Sequence, residues 1–159
     1  MKRYFESFYN ADPMDELSEA AAHQQGTYAV EDDPALRRYH RIIAHQLDSI
    51  IYAGWDDPAV PLADLERLGA TVRAEIHSTV QRLDHGGHRW RTWYVDPQRN
   101  VTKILEPEFA EDGRRVRSTL RSPDGTLITD TIYHYDRDGH LLELVTHAPD
   151  GTVLNTQDA

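Results

Sequence analysis

Apolar residues recur at Leu36, Tyr39, Ile43, Leu47 and Ile50, three and four positions apart, the interval at which side chains share one face of a helix. Asp33 before Pro34 supplies an N-cap followed by proline at the first helical position. The pattern predicts a helix over 34–48 that passes into a strand at Ile50-Ile51-Tyr52; against it stands the β-branched content of 39–52, which would also suit two strands. Met14, Leu17, Ala20 and Ala21 mark a short amphipathic helix within Asp12 to His23. Pro61 to Leu68 is another, stopped by Gly69 as its C-terminal cap. Arg3 to Tyr9, with its aromatics in adjacent pairs, suits a strand at a sheet edge or beneath a helix.

From residue 70 the period changes. Val72, Ala74, Ile76 and Val80 alternate with Arg73, Glu75, His77 and Gln81, a half-buried strand pattern. Asp84-His85-Gly86-Gly87 is a ready hairpin turn, and His88 to Val95 reads as a strand with Trp90 and Trp93 on opposite faces by parity. Val116, Ser118 and Leu120 alternate with Arg115, Arg117 and Arg121, and Thr126 to Tyr135 is rich in β-branched and aromatic residues.

An internal repeat organises this half. Pro97, Pro123 and Pro149 are 26 residues apart, as are Gly113 and Gly139, and Gly125 and Gly151. Pro97-Gln-Arg-Asn-Val101 aligns with Pro123-Asp-Gly-Thr-Leu127 and Pro149-Asp-Gly-Thr-Val153, and Phe109-Ala-Glu-Asp-Gly113 with Tyr135-Asp-Arg-Asp-Gly139. Each unit thus carries two turns with a strand-length segment between them. Asp-Gly suits such turns because glycine takes positive φ without a Cβ clash. The expected fold is α+β in a single domain. A mixed, mainly helical segment over 1–69 precedes an antiparallel meander of about six or seven strands over 70–155.

Tyr135, Asp136, Gly139 and Leu141, followed by Pro149-Asp150-Gly151-Thr-Val153, resemble the YD repeats of RHS proteins. The preceding unit departs from that pattern, with Phe109 and Ala110 in place of the Tyr-Asp pair and Arg115 at the leucine position. The resemblance covers 97–153 and implies strand-turn-strand units. In that family many repeats build a shell around a toxin, and small proteins with similar hairpins resemble accessory or immunity proteins of bacterial toxin systems.

The chain has 159 residues, 17 basic and 27 acidic, for a net charge of -10. The excess is uneven: residues 1–33 carry -6 and 123–159 carry -6, whereas 97–122 carry +2. This balance argues against nucleic acid as partner, and acidic ends suit a protein with a basic surface, whose approach they would steer. No apolar run has the length of a membrane span and no signal peptide opens the chain, so the expected location is cytoplasmic. The absence of cysteine removes disulfides, a thiol nucleophile and Cys-based zinc sites.

Candidate chemistry is sparse. Nine histidines include His85-Gly-Gly-His88 and the group His134, His140 and His147, which would bind zinc only if three or four ligands converged. Asp136-Arg-Asp138-Gly139 fails the spacing of a calcium loop and reads as a turn. No serine lies in a Gly-x-Ser-x-Gly elbow, and no phosphate-binding glycine loop is present. Trp55, Asp56 and Asp57, with Trp93, are the candidate partner interface, since a tryptophan beside carboxylates suits a binding hot spot. The expectation is a non-enzymatic immunity or antitoxin-type protein without catalytic residues, cofactor or metal. Its alternatives are a small metal-dependent hydrolase using the clustered histidines, or a module that adds strands to a partner sheet.

Overall fold

A computed structural model describes residues 1–9 and 12–159. The chain divides into two compact units, Met1–Val80 with Thr92–Thr102, and Gln81–Arg91 with Lys103–Ala159. The first contains β1 (Tyr4–Tyr9), β2 (Asp12–Leu17), helix α1 (Glu19–Gln25), β3 (Tyr28–Asp33), β4 (Arg38–Ile43), β5 (Gln46–Ala53), helix α2 (Ala59–Leu68) and β6 (Arg73–His77). β7 (Gln81–Arg82) and β8 (His88–Arg89) belong to the second unit, and the chain then returns to the first for β9 (Thr92–Val95). β10 (Val101–Phe109) begins in the first unit and continues into the second, which is completed by β11 (Arg115–Arg121), β12 (Leu127–Tyr135), β13 (Leu141–His147) and β14 (Val153–Asp158).

The α+β expectation is therefore corrected: the protein is mostly β, with fourteen strands and two short helices among the described residues. The predicted helix over 34–48 is absent. The Asp33 carboxylate does accept from the amides of Ala35 and Leu36, at 3.0 and 3.2 Å, but it caps a single turn. β4 and β5 follow, joined by Ala44 and His45 at φ 49° and 64°. Burial explains the outcome. Ser49 to Ala53 are consecutively buried, which a central strand covered on both faces allows and an amphipathic helix with one apolar stripe does not. The helix expected within 12–23 gives way to β2, and α1 starts only after Ser18, whose Oγ accepts from the Ala21 amide at 3.2 Å.

In the first unit the strand order is β9-β6-β5-β4-β3-β1-β2. β5 and β6 are parallel, and α2 supplies the crossover that such a pair needs. α2 matches its sequence signature, ending at Gly69 with φ 61° and the Gly69 amide donating to the Glu66 carbonyl. Register places Arg38, Tyr52, Ile76 and Trp93 in one cross-strand row. On the opposite face Phe5, Ala29, Tyr39, Ile51 and Ala53 form an apolar cluster.

A buried polar network fastens α2 to the first of these faces. Asp64, on α2, accepts from Arg38 Nη1 at 2.5 Å, from the Tyr52 hydroxyl at 2.7 Å and from Arg67 Nη2 at 2.7 Å. Arg38 also holds Asp32 through Nε at 2.9 Å and through Nη2. Burial pushes the Asp64 carboxyl upward, but the bonds from Tyr52, Arg67 and Arg38 outweigh it and hold it below the usual carboxylate range. Burial and the bond to Asp64 push the Tyr52 hydroxyl up. The first keeps Asp64 ionised as the acceptor, and the second keeps the Tyr52 hydroxyl protonated as its donor.

The region after residue 70 has nine strands rather than about six or seven, because 72–81 and 88–95 each divide. The second break, at Trp90-Arg91, removes the parity relation between Trp90 and Trp93. The two indoles lie in different units, and both are buried.

Candidate binding surface

The second unit is a run of hairpins built by one turn. In each, residue i donates its amide to the carbonyl of i+4, and the amide of i+3 donates back to the carbonyl of i. This pair closes at Leu83, Ala110, Ser122, Asp136 and Ala148, and in the first unit at Asp96. The i+3 residue must take a left-handed conformation. Gly86, Gly113, Gly125, Gly139 and Gly151 do so at φ 84° to 88°. At the remaining turn Arg99 stands in the glycine position with φ 73°, matching the alignment of Pro97–Val101 with the two Pro-Asp-Gly-Thr turns. The turn aspartates complete the geometry: Asp124 Oδ1 accepts from the Thr126 amide at 2.9 Å and Asp150 Oδ1 from the Thr152 amide at 2.9 Å. Ser122 and Thr126 hold the Asp124 carboxyl down at about 2. The 26-residue repeat is thus a repeat of backbone geometry.

The strand order is β14-β13-β12-β11-β10, with β8 on β10 and β7 on β8. One face of the sheet begins with a ring stack: Phe109 lies 5.2 Å from His88 and 5.1 Å from Trp90, with planes within 8°. The Arg115 guanidinium lies over both Phe109 and Tyr133, and the Tyr135 hydroxyl donates to the Arg115 carbonyl at 2.6 Å. The other face carries charge pairs across strands. Arg117 grips Asp130 with two bonds, at 2.8 and 2.7 Å, and Arg121 and Arg91 converge on Glu106.

Packing thins along this sheet. Trp90, Ile104, Pro107, Phe109 and Ser118 are buried, but from Thr119 to Ala159 no residue is. The second unit contains no helix to cover either face. Ile128, Leu142, Val153 and Leu154 are all exposed, and every residue of β14 is exposed. β12, β13 and β14 therefore form a broad surface with accessible side chains on both sides.

The residues singled out from the sequence are placed as follows. Trp55 is half-buried, its indole N–H donating to the Leu36 carbonyl at 2.8 Å. Asp56 is exposed and accepts from the amide and hydroxyl of Thr79, at 3.0 and 2.6 Å, which holds its carboxyl below the usual range. Asp57 is exposed and accepts from the Ala59 amide at the start of α2. These three are neighbours; Trp93 is buried elsewhere in the first unit, on β9. The acidic ends fall in different units, 1–33 in the first and 123–159 in the second.

His134, His140 and His147 do not come together. His134 pairs with Glu143 and His147 with Asp130, four residues apart on the same ladder, a separation of about 13 Å, and His140 sits in the turn. Asp136, Asp138 and His140 do gather at that turn. There Asp136 already accepts from the amides of Asp138 and His140 and contacts the His140 ring. In the first unit Glu75, His77 and Thr92 form a carboxylate–imidazole–hydroxyl row, with His77 Nδ1 2.8 Å from Thr92 Oγ1 and Nε2 3.3 Å from Glu75. Burial raises the Glu75 carboxyl, but His77 and Arg41 outweigh it and keep it below the usual range. The Thr92 residue is 2% exposed, so its hydroxyl is not presented to a substrate.

No family model, no curated protein and no solved structure matches the chain. Sequence reasoning missed the Arg38–Asp64–Tyr52 network, because its members come from β4, α2 and β5 with no local motif to join them. It also missed the ring stack, whose members are separated by a turn and a strand.

Proposed function

We propose that this protein is a non-enzymatic binding protein of the immunity or antitoxin type, which neutralises a partner with a basic surface. Its working surface is the exposed sheet of β12, β13 and β14. The observation that carries this reading is the absence of buried residues from Thr119 onward, in a segment whose hairpins nonetheless repeat one turn geometry. A sheet so built, without a core of its own, is suited to be completed by another molecule. Charge agrees with a basic partner: the segment 123–159 carries -6. The YD-like turns point toward toxin-associated systems by resemblance. Asp56 and Asp57 remain available as a second acidic contact, whereas Trp93 is not at the surface and drops out of the interface.

The test is affinity capture from the source organism, followed by co-expression of the captured protein with and without this chain. Restored growth on co-expression, and an association rate that falls as salt rises, are expected. Recovery of chaperones and ribosomal proteins alone, or an association rate indifferent to ionic strength, would refute the reading.

A further inference from the structure

The two strands that end the sheet orders differ in how their outer edges are guarded. β2, at the end of the first unit's order, carries Pro13, Asp15 and Glu16, and Asp15 sits at φ 33°. Proline, charge and a local kink are the devices that stop an edge from accepting another strand. β14, at the end of the second unit's order, reads Val153-Leu-Asn-Thr-Gln-Asp158; its register shifts once, at Leu154, and from Asn155 to Gln157 it carries none of these devices. Among the described residues nothing pairs with its outer side.

Backbone orientation follows from the ladder. The Ala159 amide donates to the Leu142 carbonyl at 3.0 Å, and Gln157 and Asn155 lie opposite Leu144 and Thr146. Hydrogen-bonding direction alternates along an antiparallel strand, so the N–H and C=O groups of Thr156 and Asp158 point away from β13, toward the free side. Side chains define the occupant. From Asp138 to Ala159 there are four carboxylates and no lysine or arginine. Glu143 and Asp158 are directly opposite one another across β13 and β14, and neither makes an ion pair with another of the described residues. Like charges directly opposite are unfavourable in a sheet. A cation delivered beside Asp158 would relieve that repulsion, whereas a second copy of this chain would bring more negative charge to it.

We propose that β14 is an acceptor edge that adds a lysine- or arginine-bearing extended segment of another protein as a further antiparallel strand. This inference rests on the binding function proposed above and assigns that function a mode. Main-chain bonds to Thr156 and Asp158 would supply the pairing, and the Glu143–Asp158 pair would select for basic residues.

The experiment uses the full chain and labelled, end-blocked decapeptides of alternating lysine and valine, or alternating glutamate and valine. Fluorescence anisotropy reads binding, and amide hydrogen exchange reads Thr156 and Asp158. The Lys-Val peptide is expected to bind, to protect both amides, and to weaken at least tenfold in Thr156→Pro. That variant loses an outward N–H and leaves the bonds to β13 intact. Glu143→Lys combined with Asp158→Lys is expected to invert the preference toward the Glu-Val peptide. Equal binding of the two peptides by the unaltered chain, or Lys-Val binding unchanged in Thr156→Pro, would overturn the proposal. So would self-association of the chain that Thr156→Pro abolishes, since it makes a second copy the occupant. A captured partner that Thr156→Pro still neutralises would sink the strand-addition mode alone, and the binding function would stand.

Discussion

Asp64→Ala tests whether the buried network holds the first unit together. Asp64 is 7% exposed and is the shared acceptor of Arg38, Tyr52 and Arg67. Deleting its carboxylate leaves the fully buried Tyr52 hydroxyl without its acceptor, a loss of about 1–3 kcal/mol. It also removes one of the two carboxylates that neutralise Arg38; baring a buried charge completely costs about 3–5 kcal/mol. Asp32 keeps its bond to Arg38 Nε at 2.9 Å, so the charge is not bared and the combined loss should be about 3–4 kcal/mol. Arg67→Ala removes the third partner, but that side chain is 67% exposed, and its loss should cost about 0.5 kcal/mol or less. Asp64→Asn retains an acceptor for Tyr52 and should fall between the two. Urea unfolding followed by tryptophan fluorescence in a Trp90→Phe background reads the first unit, where Trp55 and Trp93 reside. With a slope of about 2 kcal/mol per molar urea, Asp64→Ala should lower the midpoint by about 1.5–2 M. A loss below about 1 kcal/mol, or equal losses for Asp64→Ala and Arg67→Ala, would refute the assignment of the network as the fastening of α2.

Arg99→Gly should stabilise the protein by about 0.5–1 kcal/mol, because it relieves a left-handed arginine; thermal melting checks this, and a fall in Tm would contradict it. Gly113→Ala meets no neighbouring atom and should cost about 1 kcal/mol through backbone strain alone. Gly87→Ala should cost more, about 2–3 kcal/mol, since its Cβ would meet the Phe109 carbonyl; equal costs at Gly87 and Gly113 would undo that distinction. The first unit should lose stability as pH falls, in two stages. Burial lowers His40, so its contribution is present above the unfolded histidine value and is lost as pH drops below it. Asp32 and Asp64 are also lowered, so their contribution is lost further down, below the unfolded carboxylate range. Urea midpoints measured across pH should show the first stage flattened by His40→Gln, and an unaltered profile in that variant would exclude His40 as its source.

The turns were legible because their physics is local. A left-handed position within five residues needs glycine, and Gly113, Gly125, Gly139 and Gly151 announce it at fixed spacing. Even the exception was placed by alignment, since Arg99 aligns with Gly125 and adopts the same conformation. Pro61 to Gly69 was legible for the same reason: its apolar face and its glycine stop lie within one short segment, although the helix begins two residues earlier, at Ala59. Residues 39–52 were not. Their apolar spacing fits a helix while their β-branched content suits strands, and the choice falls to whatever covers the second face. In the folded unit Ile50 and Tyr52 sit on the side of α2, while Ile51 and Ala53 join Phe5, Ala29 and Tyr39 on the other.

The sequence by itself determined where the chain turns, the 26-residue rhythm and the concentration of negative charge at the two ends. These depend on backbone conformation at single residues and on counting. Only the tertiary structure decided that β5 is a two-faced central strand, that Asp64 meets Arg38 across 26 positions, and that Trp93 is core rather than surface. It also decided that, among the described residues, nothing pairs with the outer side of β14. Burial and pairing belong to whichever neighbour arrives from elsewhere in the chain, and no local pattern carries that information.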